Sequence, residues 1–351
     1  MKKELLMASA LVSTLGVASV AQAVTATMAG SMKIGAEFES ADDATVDSNT
    51  VSDQSNFNIS LSETTDGGTT ISTSFEIVDE GTVAADDDNA LKLTFTDGSA
   101  IELLNAGNAS GTHAVSVPSA GGEQGVGGTS TNNAPTGIDF GAASTALGIE
   151  WHSAADFLAD GLKMSASFST DNGAAKTATA RVESSWGAGA TYVTTAGDTT
   201  LTIGGGVSGS DVAKTGTQLT ADTEGFHVGV SAVTGDLTVG VAYGDGDTFV
   251  DEGGSVHSQV DGSVTVAGIS YVTGDITLAL GVTAGEAKDS TTVGTAGTTD
   301  DSHDATSASV TYAVASGVSA VLGYTTVDQN NEGSSTTDGG SAWYVGATMS
   351  F

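Results

Sequence analysis

Four stretches in the second half of the chain repeat one theme. YVTTAGDTTLTIGGGV begins at Tyr192, AVTGDLTVGVAYGDGD at Ala232, YVTGDITLALGVTAGE at Tyr271 and YAVASGVSAVLGYTTVD at Tyr312, so their starts lie 40, 39 and 41 residues apart. In each, an alternating apolar run meets a very short glycine-containing turn and reverses into another, which is how a β-hairpin is written. After the turns come Leu237, Val239, Val241 and Tyr243, then Ile276, Leu278, Leu280 and Val282, then Val318, Ala320, Leu322 and Tyr324, with Thr, Gly, Ala and Ser between them. Period two gives each strand one apolar face and one small or polar face, a pattern that a helix does not produce.

The same alternation extends back to about residue 25 and predicts sixteen strands, among them 25 to 39, 56 to 64, 199 to 208, 263 to 273 and 341 to 351. Their connections are of two kinds. Asp66-Gly67-Gly68, Asp97-Gly98, Gly197-Asp198, Gly235-Asp236, Gly274-Asp275 and the turn near Gly317 are very short, with a longer one at 153 to 161. The others are mostly long and acidic, at 40 to 55, 79 to 89, 209 to 223, 245 to 262, 286 to 303 and 328 to 340, with a shorter one at 170 to 176 and the longest at 105 to 144. An even number of antiparallel strands of about ten residues, with short turns on one rim and long loops on the other, predicts an all-β, 16-stranded transmembrane barrel. The apolar stretch from 305 to 327 is interrupted at Gly317 and alternates, so it reads as two strands and not as a spanning helix.

Charge separates the faces. Large apolar residues such as Met32, Ile34, Phe38, Leu91, Leu93, Phe168, Trp186 and Tyr192 share one parity. Lys33, Glu37, Glu39, Glu76, Lys92, Glu102, Glu150, Lys163, Arg181 and Glu183 share the other, with Glu63 beside a turn as the exception. A lipid face should be free of charge, because an ion at the bilayer midplane costs about 2 to 4 kcal/mol. A soluble sandwich also alternates, so a secreted surface-layer or adhesion protein with calcium-binding acidic loops is the second reading, although it gives no reason for sorted loops.

The first 23 residues carry Lys2 and Lys3, an apolar run from Leu5 to about Val20 and Ala21-Gln22-Ala23, the form of a secretory signal peptide; the barrel would then occupy 24–351. The whole chain holds 43 acids against nine Lys and Arg, a formal net charge of −34, and it has no Cys. Such an excess excludes nucleic acid as a partner, which needs clustered Lys and Arg, and favours cations.

The chain resembles a Gram-negative general porin of the alphaproteobacterial type, through its signal peptide, sixteen strands, long third external loop and terminal Phe351. Tyr344, Gly346, Met349 and Phe351 are similar to the C-terminal signal read by the barrel-assembly machinery. The resemblance implies a homotrimer in outer-membrane lipid and lipopolysaccharide, closure between first and last strands, and a third loop, here 105 to 144, folded inward as a constriction. The familiar constriction sets several Arg against acids on the loop, whereas this chain has one Arg. Lys33, Lys92, Lys163 and Arg181 are left to form a positive wall, with Glu123, Asp139 and His113 as the loop's counterparts.

Other chemistry finds little support. Gly204-Gly205-Gly206-Val207-Ser208-Gly209 spells a dinucleotide fingerprint but no βαβ unit follows it. Asp328-Gln329-Asn330-Asn331-Glu332-Gly333 starts like an EF-hand loop, yet its twelfth position is Gly339. Asp86, Asp87, Asp88, Asp245 and Asp247 could bind Ca2+ loosely, and no other cofactor is implied. The five histidines lack metal-ligand spacing or a convincing triad, so catalysis is not expected. The reading is a passive channel for ions and small hydrophilic solutes, mildly cation-selective.

Overall fold

Short reversals require a backbone that L-residues avoid, and glycine supplies it. Gly197, Gly235 and Gly274 take φ of 63°, 56° and 60° as the first central residue of two-residue turns, the arrangement of a type II′ hairpin. In a computed structural model, these and the other short turns join strands of one sheet; it describes residues 24–41, 48–79, 91–104, 108–120, 147–170, 181–213, 223–251, 257–287, 301–330 and 339–351.

The strands are β1 (Thr25–Ala41), β2 (Ser48–Thr64), β3 (Thr70–Asp79), β4 (Leu91–Thr94), β5 (Ala100–Leu103), β6 (Leu147–His152), β7 (Leu162–Thr170) and β8 (Arg181–Ala196). They continue as β9 (Thr199–Ala213), β10 (Thr223–Thr234), β11 (Leu237–Asp251), β12 (His257–Thr273), β13 (Ile276–Ala287), β14 (Asp301–Ala315), β15 (Val318–Asn330) and β16 (Gly340–Ser350). Each pairs with its neighbours in sequence, and β1 closes on β16 to make a barrel.

Several strands outrun their sequence-based limits. β2 begins at Ser48 and β12 at His257, and Asp247 pairs with Asp261 inside what the sequence marks as a loop. About ten tilted residues cross the apolar band, so strands of 15 to 17 residues stand above it. Acidic positions there keep the ladder while losing the lipid. Asp211, Asp245, Asp261, Glu286, Asp304 and Asp328 lie on outward parity, all toward the long-loop ends of their strands, where a charge costs little.

The predicted lipid face is outward. Met32, Ile34 and Phe38 on β1 and Trp343, Val345 and Met349 on β16 are exposed, as are Leu278, Leu280 and Val282 on β13. Among the described residues there is no packed apolar core; buried side chains are mostly small, polar and turned to the lumen, such as Ser169, Ser185 and Ser307.

Closure runs to the last residue. Gly30 N–H donates to Phe351 O and Phe351 N–H donates to Gly30 O, each at 3.0 Å. The Phe351 ring lies over Gly30 on the outer face, where an added Cβ would stand 2.4 Å from its Cζ. Inside, Tyr344 is buried and its ring covers Gly346, whose absent Cβ would fall 2.3 Å from the phenol oxygen. The seam is thus fitted on both faces by an aromatic over a glycine.

Deleting Phe351, or replacing Gly30 with Val so that the ring loses its seat, should lower the yield of heat-modifiable, assembled barrel in outer membranes several-fold while leaving the conductance of what assembles unchanged. Overpacking of this kind costs about 1–3 kcal/mol, and the folded fraction on semi-native gels reads it directly.

Candidate channel constriction

Register carries the charged residues to one side of the lumen. Lys33, Glu37 and Glu39 alternate with the outward residues of β1, Glu76 pairs with Asn58, and Lys92, Glu102 and Glu150 sit side by side across β4, β5 and β6. Lys163 on β7 completes this set. From β8 to β16, below the long-loop rim where Asp301 takes the inward register position opposite Ala287, the described lumen-facing side chains are Gly, Ala, Ser, Thr, Val, Tyr344, His227 and His303, with no carboxylate, ammonium or guanidinium among them. The interior therefore has a charged half and a bare half.

Residues 108–120, the described part of the third loop, fold into the barrel and lie against β7 and the adjoining bare half. Ala109 N–H donates to Ser167 Oγ at 3.1 Å, and His227 Nε2–H donates to Ser110 O at 2.9 Å. A 3-10 turn, Gly111–His113, follows and aims the imidazole at the wall. His113 Nδ1 meets Thr191 Oγ1 at 2.8 Å and Nε2 meets Ser165 Oγ at 2.9 Å. Ala109, Ser110, His113 and Ala120 are buried, whereas Thr112, Ala114 and Ser116 are exposed.

The wall accepts the loop because its side chains are missing. Gly187 and Gly189 on β8, Gly204 and Gly206 on β9, Gly229 on β10, Gly240 on β11 and Gly268 on β12 form a trough under it. A Cβ at Gly206 would stand 2.4 Å from Ser110 Oγ, and one at Gly268 would meet Pro118 O. Two of the glycines that spell the dinucleotide fingerprint belong to this trough, and a third, Gly209, makes room outside for the Trp186 indole.

A polar chain ties the loop to the charged half. Thr112 Oγ1 donates to Glu150 Oε1 at 2.8 Å, and the buried Glu150 neighbours His152, with 3.8 Å between Oε1 and Nδ1. His152 also meets Ser165 Oγ at 2.9 Å and approaches Glu102 Oε1 at 3.3 Å, and Glu102 forms an ion pair with Lys92. Ser165 is thus shared by His113 and His152.

These positions revise the sequence-based site. Lys33, Glu37, Glu76, Lys92, Glu102 and Lys163 lie on the inward parity of their strands. His113 does not line the passage: it is 4% exposed and anchors the loop, because the 3-10 turn points it at the space above Gly189. Lys92 does not stand as a lone member of a positive wall, since Glu102 pairs with it. The register slips between Val182 and Ser184, so Arg181 pairs with Ala213 and the alternation that assigned Arg181 and Glu183 to the lumen stops at this bulge. Glu123, Asp139, Asp86, Asp87 and Asp88 lie outside the described residues. Asp245 accepts the Tyr243 hydroxyl at 2.8 Å and Asp247 accepts Glu224 N–H at 2.9 Å; among the described residues no group of three or more His or carboxylates is placed to hold a metal.

A sixteen-stranded transmembrane barrel, apolar outside and polar inside, with one loop seated on its inner wall, defines a channel-forming outer-membrane protein. The chain belongs to the Gram-negative porin family, whose profile matches residues 8–350. It is a non-enzymatic diffusion channel of the Gram-negative outer membrane, which sets aside the soluble surface-layer reading. No curated protein sequence matches the chain. Among solved structures, it is similar to a porin refined at 1.8 Å resolution (TM-score 0.64, 18% identity, 93% of this chain and 100% of the other). It is also similar to an anion-selective porin from Comamonas acidovorans (0.61, 13%, 93% and 100%) and to the trimer form of OmpT from Vibrio cholerae (0.60, 15%, 93% and 99%).

Two outcomes follow from the loop's seat. Gly206→Val or Gly268→Val should lift the loop toward the charged half and reduce single-channel conductance, with a stability loss of about 1–3 kcal/mol from overpacking; unchanged conductance in planar bilayers would show that the trough is empty. Acid should also loosen the seat. Burial pushes the His113 imidazole below its ordinary value of 6.5, and the neighbouring His152, His227 and Lys163 push it the same way. The released loop then takes up a proton before the seated one does, so the seat is at full strength above the ordinary value and weakens as pH falls through it. Current fluctuations should rise between pH 7 and pH 5, and His113→Gln should remove most of that dependence.

Proposed function

We propose that this porin passes small hydrophilic solutes with a mild preference for cations. The observation that carries the reading is the charged half of the lumen, where Glu37, Glu39, Glu76, Glu102 and Glu150 outnumber Lys33, Lys92 and Lys163. The loop's exposed Thr112, Ala114 and Ser116 add no charge, so the charged half alone supplies the fixed field of the described passage. The acid-rich long loops would concentrate cations at the outer mouth.

We further propose that residues 1–23 are a cleaved signal peptide, that 24–351 form the mature barrel and that the whole segment 105–144 acts as the constriction loop, with Glu123 and Asp139 adding to its negative side. Homotrimers in outer-membrane lipid and lipopolysaccharide, delivered by the barrel-assembly machinery, are the assembly we infer, and the trimer form of the similar Vibrio protein supports it. An alphaproteobacterial type is supported by likeness to Rh. blastica porin chains.

Reversal potentials under a KCl gradient test the selectivity. Cations should be preferred about two- to fivefold at ~0.1 M salt, with the preference shrinking toward 1 M as the Debye length falls; a preference for chloride would overturn it.

A further inference from the structure

Valine is an unexpected occupant of a water-filled lumen, yet at one place two inward valines of the wall meet two valines of the loop. Val264 and Val266 lie on the inward parity of β12, pairing with Gly285 and Thr283 of β13. With Val115, Val117 and Pro118 of the loop they wall a cavity of about 350 Å³. All five are half-buried and so still open to solvent. Across β13, the register position level with Val266 is Ala305 of β14, which adds to the apolar lining. Thr283 and Ser307 place hydroxyls at the edge of the cavity. On β12, Val264 and Val266 sit farther from the short turn at Gly274 than Gly268, which lies under Pro118, so this wall is on the long-loop side of the loop's contact there.

The volume is that of a small organic ligand's site, and the lining is that of such sites, mostly apolar with a few polar groups. The charge of the occupant follows from the rest of the lumen. Below Asp301 at the long-loop rim of β14, no described lumen-facing side chain of β8 to β16 carries a carboxylate or ammonium, while the facing half carries an excess of carboxylates. Anions are disfavoured by that field, and inorganic cations gain nothing from valines. A solute with an apolar body and a cationic head satisfies both halves.

We propose that this niche is a resting site for small organic cations, aryl- or alkylammonium in class, on their way through the constriction. The apolar body lies on Val264, Val266 and Val117, and the head stays in water facing the acidic half. The inference rests on the channel reading above and names a solute class that it favours.

The test uses the full-length protein purified from outer membranes and reconstituted in planar bilayers carrying potassium current. Benzyltrimethylammonium added on the long-loop side should interrupt the current at a concentration about tenfold lower than tetramethylammonium, which has the same head and no aromatic body. Val264→Ser with Val266→Ser should bring the two cations to the same concentration, and Val117→Ser on the loop provides an independent variant if the double variant fails to assemble. Equal action of the two cations on the native channel, or an undiminished difference in the variants, would overturn the niche. Absence of any potassium current would instead overturn the channel reading, and the niche with it.

Discussion

Every backbone N–H and C=O that enters hydrocarbon must be bonded within the protein, and in a β-structure only a closed sheet achieves this. The whole molecule depends on the ladder between β1 and β16, and that ladder ends on the reciprocal Gly30–Phe351 pair. Once the sheet is closed, alternation does the remaining sorting. Outward positions take Leu, Val, Ile and aromatics because lipid is their solvent, and inward positions are free to be small, polar or charged. The interior is where this chain has spent that freedom unevenly.

Charges occupy β1 to β7, and glycines and hydroxyls occupy the wall from β8 onward. This division allows a loop to be held within a wide barrel without a packed core. Glycine lets backbone lie against backbone, Ser165, Ser167 and Thr191 supply hydroxyl partners, and His113 and His227 each bridge loop and wall. A bulky bare wall would push the loop into the passage, and a charged one would leave an ion beneath it without water. The loop covers the featureless half and leaves the charged half facing the solute.

Much of this was legible in the sequence. Period two, the Gly-Asp turns and the sorting of long from short connections require sixteen strands, and the parity of Lys33, Glu76 and Glu102 assigns their face without coordinates. The halves of the lumen left a trace as well, since every mid-strand ion of that parity precedes residue 184. What was hidden needs three dimensions. Gly187, Gly206 and Gly268 lie on separate strands and join one trough only through register. His113 sits outside any periodic element, so nothing local says which way it faces. Parity is a rule for regular strands, and the bulge beside Glu183 ends it for Arg181. The extension of β2 and β12 into acidic segments was missed because polar residues stop marking strands once the solvent is water on both sides.

The central claim is that the third loop lies on the glycine-lined wall in the open channel. The chain has no cysteine, so a pair introduced by Ala109→Cys and Ser167→Cys, adjacent where Ala109 N–H donates to Ser167 Oγ and adding no Cβ to the glycine trough, is unambiguous. Mild oxidation should join the two quantitatively, as seen by a shift on gels without reductant, and the cross-linked protein should keep the native single-channel conductance. Failure of the pair to join, or a collapse of conductance once it is joined, would contradict the seated loop.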